Sequence, residues 1–195
     1  MRRELGVFEE ERVLINVSSL APIKGHHYLL RACRLLLDHP VRWRLLLVGD
    51  GPLRSELERV TRSLGITDRV LFLGQRRDVP DLLRASDVFV MSSLSEGVSM
   101  AILEAMAAAL PIVATRVGGN VDLIAPGHTG MLVEPRNESA LAGAIRHLLD
   151  APQEAALLGC NARHYVRQHH EARLIARQYE DYYRELLQRK QRARR

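Results

Sequence analysis

Two glutamates eight positions apart, Glu96 and Glu104, bracket the stretch Ser95-Glu-Gly-Val-Ser-Met-Ala-Ile-Leu-Glu104. A carboxylate, a glycine-containing turn, a helix start and a second carboxylate suit a ligand that is part anion and part polyol. The anion would sit on the backbone N–H groups of Gly97, Val98, Ser99 and Met100, at the partly positive end of the helix. An ionised glutamate only accepts hydrogen bonds, so Glu96 and Glu104 would take hydroxyl donors: sugar hydroxyls on one side, ribose hydroxyls on the other. A nucleotide-sugar has these parts. The competing reading makes Glu96 a surface residue and Glu104 a helix-surface acid. Against it, nearly every neighbour of Glu104 in Ala101-Ile-Leu-Glu-Ala-Met-Ala-Ala-Ala is apolar, and a carboxylate in a buried helix needs a specific partner.

Other residues join this pair by position. Lys24-Gly25 follows an apolar run through Ser19-Leu-Ala-Pro-Ile, so the ammonium is expected at a strand's carboxyl end, where it can neutralise a diphosphate. Gly49 and Gly51 in Val48-Gly-Asp-Gly-Pro52 either admit a ligand to the backbone or serve a plain strand-to-helix turn; the turn is the first reading. Gly118 and Gly119 permit a backbone that approaches phosphate oxygens. Gly127-His-Thr-Gly130 reads as a turn, and His26, His27 and His128 read as surface residues rather than bases.

The elements that must position these residues follow from hydrophobic pattern. Short Val/Ile/Leu-rich runs alternate with longer amphipathic ones, as in parallel strands joined by crossover helices. Strands are expected at Val13–Ser18, Trp43–Val48, Val70–Leu73, Val88–Met91, Ile112–Thr115 and Met131–Val133, several of them apolar on both faces. Helices are expected over His26–Leu37, after Pro52 with Gly65 as stop, and over Met100–Leu110, which is apolar on most sides and should be buried. Past Glu134 the pattern is helical: Asn137 can cap one helix, Pro152 can start another, and Glu171–Arg189 reads as a last amphipathic helix. The fold class is α/β, a Rossmann-like doubly wound parallel sheet with a C-terminal helical extension. Ligands in such folds sit outside the carboxyl ends of the strands.

Composition narrows the function classes. The 195 residues suit one well-buried domain. The formal charge of +5 is local: Arg184, Arg189, Lys190, Arg192, Arg194 and Arg195 crowd the C-terminal end, opposed there by Glu185. Such a tail can touch anionic lipid or nucleic acid, but a solvated, frayed helix end is the first reading, and no nucleic-acid motif changes that. Cys33 and Cys160 each lie among apolar neighbours and read as small buried hydrophobes in a reducing cytoplasm. The longest apolar run, Ala105–Ala114, is short and contains Pro111, so no segment is expected to span a bilayer. The expected location is cytoplasmic, with peripheral contact at the inner face of a membrane as an option.

Taken together, Lys24-Gly25-His26, Val48-Gly-Asp-Gly-Pro52, Leu71-Phe-Leu-Gly74, Glu96 to Glu104 with Glu-Ala-Met-Ala, Pro111-Ile-Val-Ala-Thr115, Gly118-Gly119 and Gly127-His-Thr-Gly-Met-Leu-Val133 resemble the nucleotide-sugar-binding half of glycosyltransferase family 4, the group 1 glycosyl transferases of GT-B fold. The likeness runs from about Val13 to Asp150. It implies a retaining transfer of a sugar from a nucleoside diphosphate sugar, the substrate, with no cofactor and no metal. By the resemblance Lys24 and Glu96 are the catalytic residues, Lys24 balancing the diphosphate and Glu96 binding donor-sugar hydroxyls. Glu104 binds the ribose, Gly97, Val98, Ser99 and Met100 hold phosphate and sugar, and Gly118 and Gly119 form a loop near the donor. The implied division is a remnant of an interdomain linker over 1–12, the donor-binding domain over 13–168, and an amphipathic helix with a basic tail over 169–195.

Two departures qualify this. The family commonly has Gly-Arg at the end of the first strand, where this chain has Ser18 and Ser19. Ser19 joins the donor-binding set as an uncharged hydrogen-bond donor, and Arg116 or a partner is a candidate source of the missing cation. A complete enzyme of this kind also has an N-terminal acceptor-binding domain, expected here on a separate chain or in a longer protein. The rival expectation is a non-catalytic nucleotide-sugar-binding module. A base pocket is expected near Gln75, Arg76 and Asp78.

Overall fold

The computed structural model describes residues 1–192. Six strands, β1 (Arg12–Val17), β2 (Trp43–Val48), β3 (Val70–Gly74), β4 (Val88–Met91), β5 (Ile112–Thr115) and β6 (Met131–Val133), form one sheet in the order β3-β2-β1-β4-β5-β6, every neighbouring pair parallel. The helices are α1 (His26–Arg34), α2 (Arg54–Ser63), α3 (Val79–Arg84), α4 (Met100–Ala107), α5 (Asn120–Leu123), α6 (Glu138–Asp150), α7 (Pro152–His169) and α8 (Ala172–Arg192). The strand order reverses between β1 and β4, which opens the crevice where doubly wound folds bind ligands. The loops that carry Lys24 and Glu96 leave the sheet on the two sides of that crevice. Of the expected basic tail, Arg194 and Arg195 lie outside the described residues.

Alternate strand residues feed two cores. Leu14, Leu45, Leu47, Val88, Val90 and Val113 face one layer with Leu29, Leu57, Leu141, Ile145 and Leu158. Val13, Ile15, Leu46, Phe89, Met91, Ile112 and Ala114 face the other with Leu82, Leu83, Ile102, Met106 and Leu123. Both faces are therefore covered, which is why the strands read as continuous apolar runs rather than alternating ones. Each fully buried Leu contributes about 1.5–3 kcal/mol relative to exposure. Helix α7 closes the arrangement, with Leu158 in the first core and Ala162 and Val166 in the second. Gly159 lets it approach closely, since a Cβ there would lie 2.0 Å from the Ala109 carbonyl oxygen.

At the amino ends of the strands, Asp87 accepts hydrogen bonds from Val13 N–H (2.7 Å) and the Arg2 guanidinium (2.7 Å). Val7 is buried in the second core, so residues 1–11 lie against the end of the sheet opposite the crevice. A cavity of about 280 Å³ lined by Arg12, Asp87, Leu110 and Pro111 also lies at this end, away from the strands' carboxyl termini.

Three local expectations are corrected. Cys160 is exposed, on the outer side of α7, while Cys33 is buried as expected. Helix α4 is buried only along Ile102, Ala105 and Met106; Met100 and Glu104 on its outer stripe are exposed, because eight residues of helix laid on a sheet turn one side outward. His26 is a core residue at 0% exposure, since it opens α1 directly beneath the loops that follow β1 and β4. No described helix is long and apolar enough to cross a membrane.

Candidate functional site

Lys24 ends a short 3-10 turn, Pro22–Lys24, and Gly25 turns the chain into α1 at φ 63°. The left-handed geometry favours glycine, and a Cβ there would lie 2.2 Å from the Ser92 carbonyl oxygen. The turn is tied to the segment after β4 at two points: Ser92 Oγ donates to the Lys24 carbonyl (3.0 Å) and Leu94 N–H donates to the Ile23 carbonyl (2.7 Å). Backbone pinning of this kind fixes the root of a flexible side chain. Lys24 Nζ then lies 2.7 Å from Glu96 Oε1, with side-chain exposures of 21% and 8%. Ser93 Oγ donates to the same oxygen at 2.6 Å.

Beyond Glu96 the chain turns through Gly97 and Val98 into α4. Ser99 caps the helix, its Oγ accepting from Ile102 N–H at 3.3 Å. The N–H groups of Gly97, Val98, Ser99, Met100 and Ala101 take no partner among the described residues, so five donors stand free at the partly positive end of α4, the array that anion binding uses.

The loop after β5 presses onto this turn from the other side. At Gly118 (φ 43°) a Cβ would meet the Glu96 carbonyl oxygen at 1.8 Å, and at Gly119 it would meet the Gly97 carbonyl oxygen at 2.3 Å. Gly119 N–H donates to the Glu96 carbonyl at 3.3 Å. The two glycines are thus needed for loop-on-loop contact, whatever they also do for a ligand. Thr115 Oγ1 donates to the Ser93 carbonyl (2.6 Å), and Asn120 Nδ2 donates to the Thr115 carbonyl (3.0 Å). Ser93, Thr115 and Asn120 escaped sequence reasoning; the signal available was the run of small hydroxyl residues ending β4 and β5.

At the end of β1, Ser18 Oγ donates to Asn16 Oδ1 (2.8 Å), and His26 Nε2 lies 3.1 Å from Ser18 Oγ and 3.2 Å from Asn16 Oδ1. Asn16 Nδ2 donates to the Val90 carbonyl (2.8 Å), so Oδ1 is left to accept and His26 carries its proton on Nε2. His26 Nδ1 is buried and unpartnered. Burial first, then the neighbouring charges of His27 and Lys24, pushes His26 down to about 4. A neutral, buried histidine thus joins the end of β1 to the start of α1. Ser19 is exposed and its hydroxyl makes no hydrogen bond among the described residues.

The remaining residues make no side-chain hydrogen bond to this cluster among the described residues. Glu104 lines a groove of about 320 Å³ with Pro80, Leu83, Arg84, Ala107 and Arg163, between α3, α4 and α7. Arg116 pairs with Glu134 (3.2 Å) at the ends of β5 and β6, so it is not a free cation turned toward Ser18. Arg76 forms a forked pair with Asp78 (2.8 and 2.6 Å); that hydrogen bonding raises the guanidinium pKa and lowers the carboxyl's. Among the described residues no group of three or more His, Cys, Asp or Glu could hold a metal ion.

The sheet order, the two helical layers and the crevice at the β1/β4 switch define the Rossmann-like half of a GT-B fold. The profile of the family described as glycosyl transferases group 1 matches residues 11–151, and the chain belongs to that family. It is 34% identical over 187 residues to N-acetyl-alpha-D-glucosaminyl L-malate synthase of Bacillus anthracis, covering 96% of this chain and 49% of that protein. It is 36% identical over 172 residues to D-inositol 3-phosphate glycosyltransferase 2 of Catenulispora acidiphila, covering 83% of this chain and 40% of that protein. Among solved structures, HepE of Anabaena in complex with UDP superposes with a TM-score of 0.89 at 31% identity, covering 94% of this chain and 51% of that one. The chain thus spans about half the length of the relatives it matches.

Proposed function

We propose that this chain is the donor-binding half of a retaining glycosyltransferase, which moves a sugar from a nucleoside diphosphate sugar to an acceptor held by an N-terminal half, on this polypeptide or another. The observation that carries the reading is the Lys24–Glu96 pair set beside the free N–H groups that open α4. In the complex the diphosphate lies on those N–H groups and on Lys24, and the sugar hydroxyls donate to Glu96. As the glycosidic bond breaks, charge builds on the departing diphosphate, and preoriented dipoles with a fixed ammonium favour that state over the ground state. Glu104, one turn further along α4, holds the ribose, and the base lies toward Gln75, Arg76 and Asp78. Gly118 and Gly119 serve the site by holding the Glu96 turn, and Ser19 supplies an uncharged donor where the family has a cation.

A second half is supported by exposed apolar side chains at the crevice. Ile23 (49%), Val98 (68%), Met100 (64%) and Val121 (46%) all stand on elements that follow β1, β4 and β5. An apolar rim around a polar centre marks an interaction surface. Tyr179, Tyr182, Tyr183 and Leu187 on α8 are also exposed and are a further surface for that half or for contact with a membrane interface.

The alternative is a nucleotide-sugar-binding module without catalysis, favoured by the uncharged Ser19. Titration with UDP, GDP and ADP, followed by hydrolysis and transfer assays with the matching nucleotide-sugar in the presence of an N-terminal half, tests the reading. Binding with retained anomeric configuration in the product is expected. Binding without turnover would leave the module, and no binding would remove both.

A further inference from the structure

Lys24 and Glu96 hold each other in this structure, yet the donor-site reading needs them for different parts of one ligand, the ammonium for the diphosphate and the carboxylate for the sugar. The Glu96 carboxylate occupies the ammonium as a phosphate oxygen would. We infer that the Lys24–Glu96 pair makes the site discriminate between an intact nucleotide-sugar and the spent nucleoside diphosphate. This rests on the donor-site reading and adds to it a preference that neither residue would confer alone.

The physical argument is one of replacement. A nucleoside diphosphate competes with Glu96 for the charge of Lys24 and offers the carboxylate nothing in return, so a side chain only 8% exposed loses part of its compensation and keeps the Ser93 hydroxyl. Leaving one partner of a nearly buried ion pair uncompensated is costly. An intact donor draws Lys24 away equally but brings sugar hydroxyls, whose charge-assisted hydrogen bonds replace the ammonium at Glu96. Escape of the carboxylate to solvent is resisted from both sides. Ser93 Oγ grips Oε1 at 2.6 Å, and the backbone of Glu96 is pressed by Gly118 and bonded by Gly119 N–H.

The other partner is equally fixed at its root, through Ser92 Oγ on the Lys24 carbonyl and Leu94 N–H on the Ile23 carbonyl. Both backbones stay in register while the side chains part, so the pair reforms as soon as the ligand leaves. Once the sugar has gone to the acceptor, Glu96 draws Lys24 back and competes with the diphosphate. The same contact that readies the empty site thus speeds release of the product.

Isothermal titration of the full chain with UDP and UDP-glucose, GDP and GDP-mannose, or ADP and ADP-glucose, taking the pair that binds, tests this. Glu96→Gln should bind the diphosphate at least about threefold tighter than the wild type and the intact donor roughly tenfold weaker. In a Lys24→Gln background the gain for the diphosphate should vanish, because no pair remains to break. Ser93→Ala, which keeps both charges and frees the carboxylate, should narrow the ratio of donor to diphosphate affinity. A Glu96→Gln variant that weakens both ligands, a gain that persists without Lys24, or an unchanged ratio in Ser93→Ala would each overturn the inference. A wild-type chain that binds neither member of any pair overturns the donor-site reading itself.

Discussion

His26 is the point at which the site's framework can be titrated. Its ring is fully buried, its Nε2 joins Ser18 and Asn16, and its Nδ1 has no partner. Protonation would place an unneutralised charge at the start of α1, beside Lys24. The folded chain therefore holds its pKa near about 4, against 6.5 for the free side chain. Between those values the unfolded chain binds the proton and the folded chain does not, so stability falls as pH falls through this window and the contribution is complete above it. With one site of these two pKa values, acidification from pH 7 to pH 5 costs about 2 kcal/mol. For a urea slope of about 2 kcal/mol/M the unfolding midpoint shifts by roughly 1 M.

The assay is urea unfolding of wild type and His26→Gln at pH 7, 6 and 5, read as the difference between the two pH profiles so that the other histidines and the carboxylates cancel. Gln is neutral at all three values, so the variant's profile should be flatter by about 2 kcal/mol over the range, although its stability near neutral pH is lower. Parallel profiles would refute the reasoning and mean that the imidazole titrates alike in both states.

Further consequences follow for the neighbouring residues. Gly118→Ala puts a Cβ 1.8 Å from the Glu96 carbonyl oxygen at a positive φ; it should lower stability by about 1–3 kcal/mol and weaken donor binding, and an unchanged melting curve with unchanged titration would contradict the loop contact. Glu104→Ala should weaken nucleoside diphosphate and intact donor equally, by about 1.5–3 kcal/mol each, whereas Lys24→Ala should weaken both through the diphosphate; a titration insensitive to either change removes that residue from the site. A maleimide should label Cys160 in the folded chain and leave Cys33 untouched, because Cys33 is buried with its thiol pushed up to about 12; two labels per folded chain would contradict that placement.

Much of the fold was legible because its strands are covered on both faces. Val88–Met91, Ile112–Thr115, Met131–Val133 and Trp43–Val48 match the observed strands residue for residue, since turn residues bound each apolar run. Helices α3 and α5, six and four residues long, are too short for helical periodicity and left no signal. The misplacements share a cause, which is that composition was read where phase decides. Cys160 lies in an apolar neighbourhood, but α7 buries Ala155, Leu158, Gly159, Ala162 and Val166, and Cys160 points off that stripe. Glu104 among alanines looked buried for the same reason.

The site was legible to the extent that one residue type could be tied to one role. Lys24 at the end of β1 and Glu96 before α4 were readable, and topology brings them together across 72 residues. Their pairing with each other was not readable, because it depends on how two loops are fastened. The Ser92 hydroxyl, the Leu94 N–H and the bare Cα of Gly25 do that fastening against backbone carbonyls, which a sequence does not name as partners. His26 was read as a surface residue because a histidine at a helix start carries no local sign of burial.

The most direct test of the donor-site account is a crystal structure of the chain with the nucleotide-sugar it binds. The account predicts the diphosphate against the N–H groups of Gly97, Val98 and Met100, Lys24 turned from Glu96 onto a phosphate oxygen, and sugar hydroxyls on the Glu96 carboxylate. A donor bound elsewhere, or bound with the Lys24–Glu96 contact intact and the carboxylate facing away from the sugar, would contradict it.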